Sequence, residues 1–325
     1  MATQPIGEAA RAAEGVYQLK LPVPLPLRFV AVYLIEGDDG WTIVDTGYHY
    51  PPTYEVWEAA ATAVGCDLDR DVSRIVVTHF HPDHLGGARW LQERSGAPVY
   101  MLEEEISRSR AVWGGDPDGT PFVDHLVRHG MPSEMAVSAA AKMRASLPLP
   151  EKMLPLSEGE KLDSGYGPLR VILAPGHADH QLMLHDEERK ILFAADHVLL
   201  KITPNIGLWP ESKPNPLARY LESIETLREL DASLVLPGHG PVFHDLGGRI
   251  SELVDHHDER LSFMHAALNG TSLTSYEVSR KAFRGALTVH QRCFALAETL
   301  AHLDHLVLEG RVRRTDGEVV SYSPV

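Results

Sequence analysis

Thr78-His79-Phe80-His81-Pro82-Asp83-His84-Leu85-Gly86-Gly87 places three imidazoles and a carboxylate within six residues, directly after the β-branched run Arg74-Ile75-Val76-Val77. Such a run reads as a buried parallel strand. The histidines then sit on the loop at its carboxyl end, where α/β sheets place their chemistry. Neutral imidazole nitrogens and carboxylate oxygens suit Zn²⁺ or another borderline divalent ion. The alternation aims His79 and His81 at one ion, while Asp83 and His84 reach a second. A solvated loop that happens to hold histidines is the competing reading, and the partners downstream weigh against it.

Those partners are Ala174-Pro175-Gly176-His177, Phe193-Ala194-Ala195-Asp196 and Leu236-Pro237-Gly238-His239. Each follows an apolar strand-like run and delivers one ligand-type side chain straight after it, so several strand ends converge on one place. With Asp45 in Thr42-Ile43-Val44-Asp45-Thr46-Gly47, this order of motifs resembles the metallo-β-lactamase fold superfamily of hydrolases, over roughly residues 15 to 245. The resemblance implies an α/β fold, an αββα sandwich of two mixed β-sheets. It also implies a dinuclear metal centre, with His79, His81 and His177 on the first ion, Asp83, His84 and His239 on the second, and Asp196 bridging them. Asp45 would orient the site without ligating. Zn²⁺ is the expected ion, and the nitrogen and oxygen ligands also admit Mn or Fe.

A chain of 325 residues, 44% hydrophobic, can bury a large core and is long for one domain. We expect a catalytic domain over residues 1–245 and a smaller one over 246–325. The formal net charge of −15 disfavours a polyanionic partner, because nucleic-acid affinity rests on Lys and Arg neutralising phosphates. Cys66 and Cys293 offer neither a disulfide framework nor a thiolate cluster, and both are expected to be buried thiols. Met1 to Glu14 lacks the apolar core of a signal peptide, and no run approaches the ~20 apolar residues of a membrane span, so the cytoplasm is the default location.

Val16–Leu21, Phe29–Ile35 and Trp41–Val44 read as strands, the last two joined by a hairpin at Asp38-Asp39-Gly40. Thr53–Val64 and Leu85–Arg94 have helical spacing, and Pro98–Met101 is the next strand. Gly86-Gly87 serves either close packing or a turn. Residues 103–152 show no strand signal. Trp113–Gly119 is loop-like, and Val123–His129 and Ser133–Ser146 have helix-forming composition. An insertion of this size suggests a lid that selects the substrate, with Trp113, Phe122, Met131, Met135 and Met143 as apolar residues read as lid packing in preference to substrate contacts. His125 and His129 lie four apart and are read as a solvated face in preference to a second metal pair.

In the second half Ala178-Asp179 stands where the family commonly has a small residue, a proline and a glycine. His180 is read as supporting the ligands without joining them, Asp179 is left open, and His197 either lines the pocket or faces away from it. Trp209 belongs to the proline-rich loop Ile202–Pro216, one rim of the cleft, and Tyr220 to the core face of a helix over Leu217–Leu230. The sweep from Asp196 to Gly240 resembles the glyoxalase II-like, general hydrolase branch.

After Phe243, helices are expected over Gly247–Leu268, Thr271–Phe283 and Val289–Glu309, with a hairpin around Asp316-Gly317. This layout resembles the winged-helix module appended to some members of the superfamily. Residues 246–325 carry nine Lys or Arg against ten Asp or Glu, a poor footprint for nucleic acid. Structural packing or a homodimer contact is the expected role. The expected function is metal-assisted hydrolysis of a small acyl compound, an ester, thioester or lactone. The nucleophile would be a hydroxide held between ions about 3.5 to 4 Å apart, with Asp83 as catalytic proton carrier as well as ligand. A phosphodiesterase or endoribonuclease, and a non-enzymatic metal-dependent DNA-binding regulator, are the alternatives, and the acidic charge weighs against both.

Overall fold

The structure, a computed structural model, describes residues 5–24, 27–114, 119–143 and 147–325, without the side chains of residues 142 and 143. Among these residues one mixed sheet runs in chain order through β1 (Ala9–Ala13), β2 (Val16–Pro22), β3 (Phe29–Gly37), β4 (Gly40–Val44), β5 (Val72–Val76), β6 (Val99–Leu102) and β7 (Met153–Leu156). β1 to β4 pair antiparallel and β4 to β7 pair parallel. A second sheet is built from β8 (Lys161–Asp163), β9 (Pro168–Leu173), β10 (Leu182–Asp186), β11 (Ile191–Ala195) and β12 (Leu234–Pro237). It is antiparallel except where β11 meets β12.

The run Phe29-Val30-Ala31-Val32-Tyr33-Leu34-Ile35 shows why the sheets stack. It has no apolar/polar alternation, as a strand covered on both faces requires. Ala31, Tyr33 and Ile35 point between the sheets, where they share a core with Val171, Leu184 and Phe193. Val30, Val32 and Leu34 face the helix layer instead, against Trp57 and Ala60 of α1 (Pro51–Ala63) and Leu91. The expected helix over Leu85–Arg94 is in fact two, α2 (Pro82–Leu85) and α3 (Ala88–Ser95), broken at the glycine pair. A β-carbon on Gly86 would stand 2.4 Å from His49 N, and one on Gly87 2.4 Å from Thr46 O, so both glycines serve close packing.

The other outer layer shows what the insertion packs against. The insertion folds as α4 (Glu103–Trp113), α5 (Thr120–Arg128) and α6 (Ser133–Met143), and α7 (Pro216–Thr226) follows β11. α8 (Leu246–Leu268), α9 (Ser275–Ala282), α10 (Val289–Leu308) and a hairpin of β13 (Val312–Thr315) and β14 (Ser321–Pro324) complete the chain. Leu126, Met131, Ala136 and Ala139 of the insertion share one core with Leu253, Leu261, Leu300 and Leu303 of the C-terminal segment and with Tyr220. The insertion is therefore bolted to the C-terminal helices. Met131, 2% exposed, is a core residue and not a substrate contact. Met135 packs against the same core. Trp113 closes α4 and does not open a loop, while residues 115–118 of the expected loop, the side chain of Met143 and residues 144–146 of the expected helix lie outside the described residues.

His125 and His129 are corrected too. His129 is buried, and its carbonyl accepts from Tyr276 N and Ser275 Oγ, while His125 Nε2 donates to Leu208 O, so both face protein and not solvent. Tyr220 is fully buried, and Cys66 and Cys293 are free and buried. No described helix is long and apolar enough to cross a membrane. Met131→Ala should cost about 2–5 kcal/mol of stability, as cavity-forming core truncations do. Chemical denaturation would show it, and a loss under about 1 kcal/mol would mean that the insertion docks loosely after all.

Candidate metal centre

Parallel pairing of β4 with β5, and of β11 with β12, sets four carboxyl strand ends side by side. The loops leaving β4, β5, β9, β11 and β12 carry Asp45, His79 to His84, His177, Asp196 and His239. The two sheets are joined at this end by Leu182 N donating to Thr78 O (2.9 Å) and Ala31 N to Gly238 O (2.7 Å). Tyr33 adds its hydroxyl to Pro237 O (2.7 Å). A register shift in β11 and a left-handed φ of 45° at Ala195 turn Asp196 out of the ladder into the site. Gly238 has to be a glycine, because a β-carbon there would lie 2.2 Å from Asp196 Oδ1.

Hydrogen bonds fix the histidine tautomers. His84 Nδ1 donates to Asp45 Oδ2 (2.8 Å), His177 Nδ1 to Asn205 O (2.9 Å) and His239 Nδ1 to Phe29 O (2.9 Å). Thr78 Oγ1 gives its proton to Asp45 Oδ2 (3.0 Å) and so accepts from His79 Nδ1 (2.9 Å). Four Nε2 atoms are thereby left bare, as ligation requires. Those of His84, His177 and His239 are buried without a hydrogen-bond partner, and so is Asp196 Oδ1. All three nitrogens face one atom, Asp196 Oδ2, at 3.4, 3.5 and 3.3 Å. His239 Nε2 also lies 3.3 Å from Asp83 Oδ2. His79 Nε2 and His81 Nδ1 are 3.0 Å apart, close to the about 3.3 Å separating two nitrogens on one tetrahedral zinc.

Ligand-type atoms come within 4.8 Å of one another in three groups, His79 with His81 and His177, His79 with His84 and Asp196, and Asp83 with His84 and His239. All seven expected ligand positions are thus brought together, and these His and Asp groups are able to hold metal ions. Burial lowers the pKa of His79, of His177 and of His81, the last to about 3, keeping that triad neutral. Around His84 and His239 burial also opposes charge, but Asp196 and its neighbours outweigh it and raise both, His239 to about 10. Asp83 and Asp196 are held below the usual carboxylate range by those histidines against the effect of burial.

Among the supporting residues, Asp45 accepts from Thr78 N (2.8 Å) as well as from Thr78 Oγ1 and His84, and so orients the site. Trp209 lines the cleft beside His81 and His177, together with Phe80, Arg108 and Gly207. Phe122 of the insertion stacks on Trp209, and Trp113 Nε1 donates to Phe80 O (2.8 Å). His180 departs from its expected place, and His197 takes the second of its two. His180 bonds Lys213 Nζ (2.7 Å) and none of the seven. His197 is fully buried and shares a hydrogen bond with Ser223 Oγ (3.0 Å), facing α7 and not the cleft. Asp179 binds Arg108 and Arg219, pinning the loop after His177. Sequence reasoning missed Glu105, buried on α4, whose carboxylate accepts from Phe80 N (2.8 Å) and His180 N (3.2 Å) and ties two ligand loops together. Only the acid-rich start of α4 hints at it.

The family described as Metallo-beta-lactamase superfamily matches residues 25–239, and the one described as Metallo-beta-lactamase-like, C-terminal domain, matches residues 261–325. A probable metallo-hydrolase of Bacillus subtilis, YqjP, is 26% identical over 314 residues, covering 91% of this chain and 93% of that one. The crystal structure of a metallo-beta-lactamase family protein from Thermus thermophilus is 35% identical, with a TM-score of 0.87, over 96% of this chain and 99% of that one. A beta-lactamase domain protein from Burkholderia ambifaria is 31% identical, with a TM-score of 0.89, over 99% and 96%.

Proposed function

The chain belongs to the metallo-beta-lactamase superfamily, and on that premise we propose that it is a dinuclear metal-dependent hydrolase of small acyl compounds, an ester, thioester or lactone. The observation that carries the metal reading is Asp196 Oδ2, faced at 3.3 to 3.5 Å by three bare imidazole nitrogens from separate loops. His79, His81 and His177 would hold one ion, Asp83, His84 and His239 the other, and Asp196 both. Zn²⁺ suits this donor set best. When bound, two such ions supply a hydroxide nucleophile at neutral pH and Lewis-acid stabilisation of a developing oxyanion.

The chain's own residues do the rest. Asp83, whose side chain is 12% exposed, would take a proton and return it to a leaving group. Phe80 and Trp209 give the cleft apolar walls beside His81 and His177, which favours a compact acyl group over a long polyanion. The three helices and hairpin of the tail we read as winged-helix-like. With nine basic against ten acidic residues, that tail lacks the field that duplex DNA binding draws on.

The test pairs metal analysis of the purified protein with a panel of a thioester, aryl esters, a lactone, a β-lactam, a bis-aryl phosphodiester and RNA. Two ions per chain and turnover of an acyl substrate, lost on chelation, are expected. Turnover of the phosphodiester or RNA alone would move the protein to the nuclease class, and salt-sensitive DNA binding without turnover would make it a regulator.

A further inference from the structure

The loop that anchors His177 rests on the C-terminal helix α10. His177 Nδ1 donates to the carbonyl of Asn205, and the side chain of that same residue donates through Nδ2 to Glu298 Oε2 (2.9 Å) on α10. Three further contacts seat this loop on the same helix. Leu208 N donates to Ala297 O (3.0 Å), Trp209 packs edge-on against Phe294 with ring centroids 5.3 Å apart, and Asn215 N donates to Asp304 Oδ2 (3.3 Å). At Gly207 a β-carbon would come within 3.2 Å of Ala297 Cβ, so the loop lies flat on the helix. Glu298 is itself held. Its side chain is only 13% exposed, with the Arg260 guanidinium of α8 at 3.9 Å and stacked over Phe283.

From this chain of contacts we infer that Glu298 is a positioning residue of the metal centre, which makes the C-terminal helices part of the site and not an appendage. An imidazole ligand is oriented by whatever accepts its second N–H, and loss of such support lowers metal affinity about 10- to 100-fold. Here the acceptor is a loop carbonyl whose own residue is tethered through its side chain, beside the three contacts that seat the rest of the loop. Glu298 supplies the tether, and a glutamine in its place would still accept from Asn205 Nδ2 through Oε1.

The inference rests on the metal-centre reading, and three variants of the full chain test it: Glu298→Ala, Glu298→Gln and Asn205→Ala. Zn²⁺ affinity is measured by competition with a chromophoric chelator, and the visible spectrum is recorded after loading with Co²⁺. We expect Glu298→Ala and Asn205→Ala to bind one of the two ions, the one assigned to His177, at least about tenfold less tightly, with shifted cobalt bands, and Glu298→Gln to keep the parental affinity and spectrum. Asn205→Ala leaves the Glu298–Arg260 pair intact, so if Glu298→Ala fails to fold, Asn205→Ala and Glu298→Gln decide. Parental affinity and spectrum in Glu298→Ala, or in Asn205→Ala, overturn the inference. A parent chain that takes up no ion overturns the metal-centre reading beneath it.

Discussion

Asp196→Ala is expected to reduce the metal content from two ions per chain to one or none and to lower kcat/KM by at least about 10³-fold, or about 4 kcal/mol of transition-state stabilisation. Asp196 Oδ2 is the one carboxylate oxygen that faces His84, His177 and His239 together. Without it two cations would have to approach one another with no shared carboxylate between them, and their repulsion in a buried site is large. The fold should survive, because the turn into Asp196 is set by the backbone at Ala195 and by Gly238 N donating to Ala195 O (2.7 Å), neither of which the substitution touches. Elemental analysis after gel filtration reads the stoichiometry, and circular dichroism the fold. A variant that retains two ions per chain would remove Asp196 from its bridging place.

The seven residues that the structure gathers were legible because they stand in four places, each just past an apolar run, where a histidine or aspartate is chemically out of place. A histidine or aspartate after Leu173, Phe193 or Leu236 has little else to do at a buried strand end. Chain adjacency does not tell direction, however. His197 is next to Asp196 but sits just past a left-handed residue, Ala195, and its ring turns into the core beside Tyr220. His180, three residues after His177, pairs with Lys213 instead of a ligand. The two-sheet stack followed from uninterrupted apolar runs, whereas β1, with the sequence Ala-Ala-Arg-Ala-Ala, carries no strand signal and forms by pairing with β2. Hidden above all were contacts between distant parts of the chain. Nothing near Met131 announces that its partners lie on helices more than a hundred residues later, and nothing near Glu298 announces Asn205.

Asp45→Asn should damage both halves of the centre at once, through proton placement and not through lost packing. Oδ2 of Asp45 receives two protons, one from His84 Nδ1 and one from Thr78 Oγ1, and the second leaves Thr78 free to accept from His79 Nδ1. An amide of the same shape keeps the bond from Thr78 N to Oδ1 only by turning its NH₂ towards His84 and Thr78. His84 must then accept at Nδ1 and carry its proton on Nε2, where it blocks a metal. Thr78, now receiving from the amide, donates to His79 and drives the same switch there. One ligand of each ion is lost to a tautomer, so we expect affinity for both ions to fall by more than the about 10- to 100-fold of a single supporting contact. Activity should drop by as much as about 10⁴-fold, the scale of a catalytic histidine held in the wrong tautomer. Asp45→Ala separates geometry from charge. It strands buried donors, at about 1–3 kcal/mol each, and places a residue less tolerant than aspartate at a φ of 62°. It should therefore lose stability even in excess chelator, where Asp45→Asn stays close to the parent. If Asp45→Asn instead binds two ions as tightly as the parent, the tautomers of His79 and His84 are not set through Asp45, and its carboxylate matters only as buried charge.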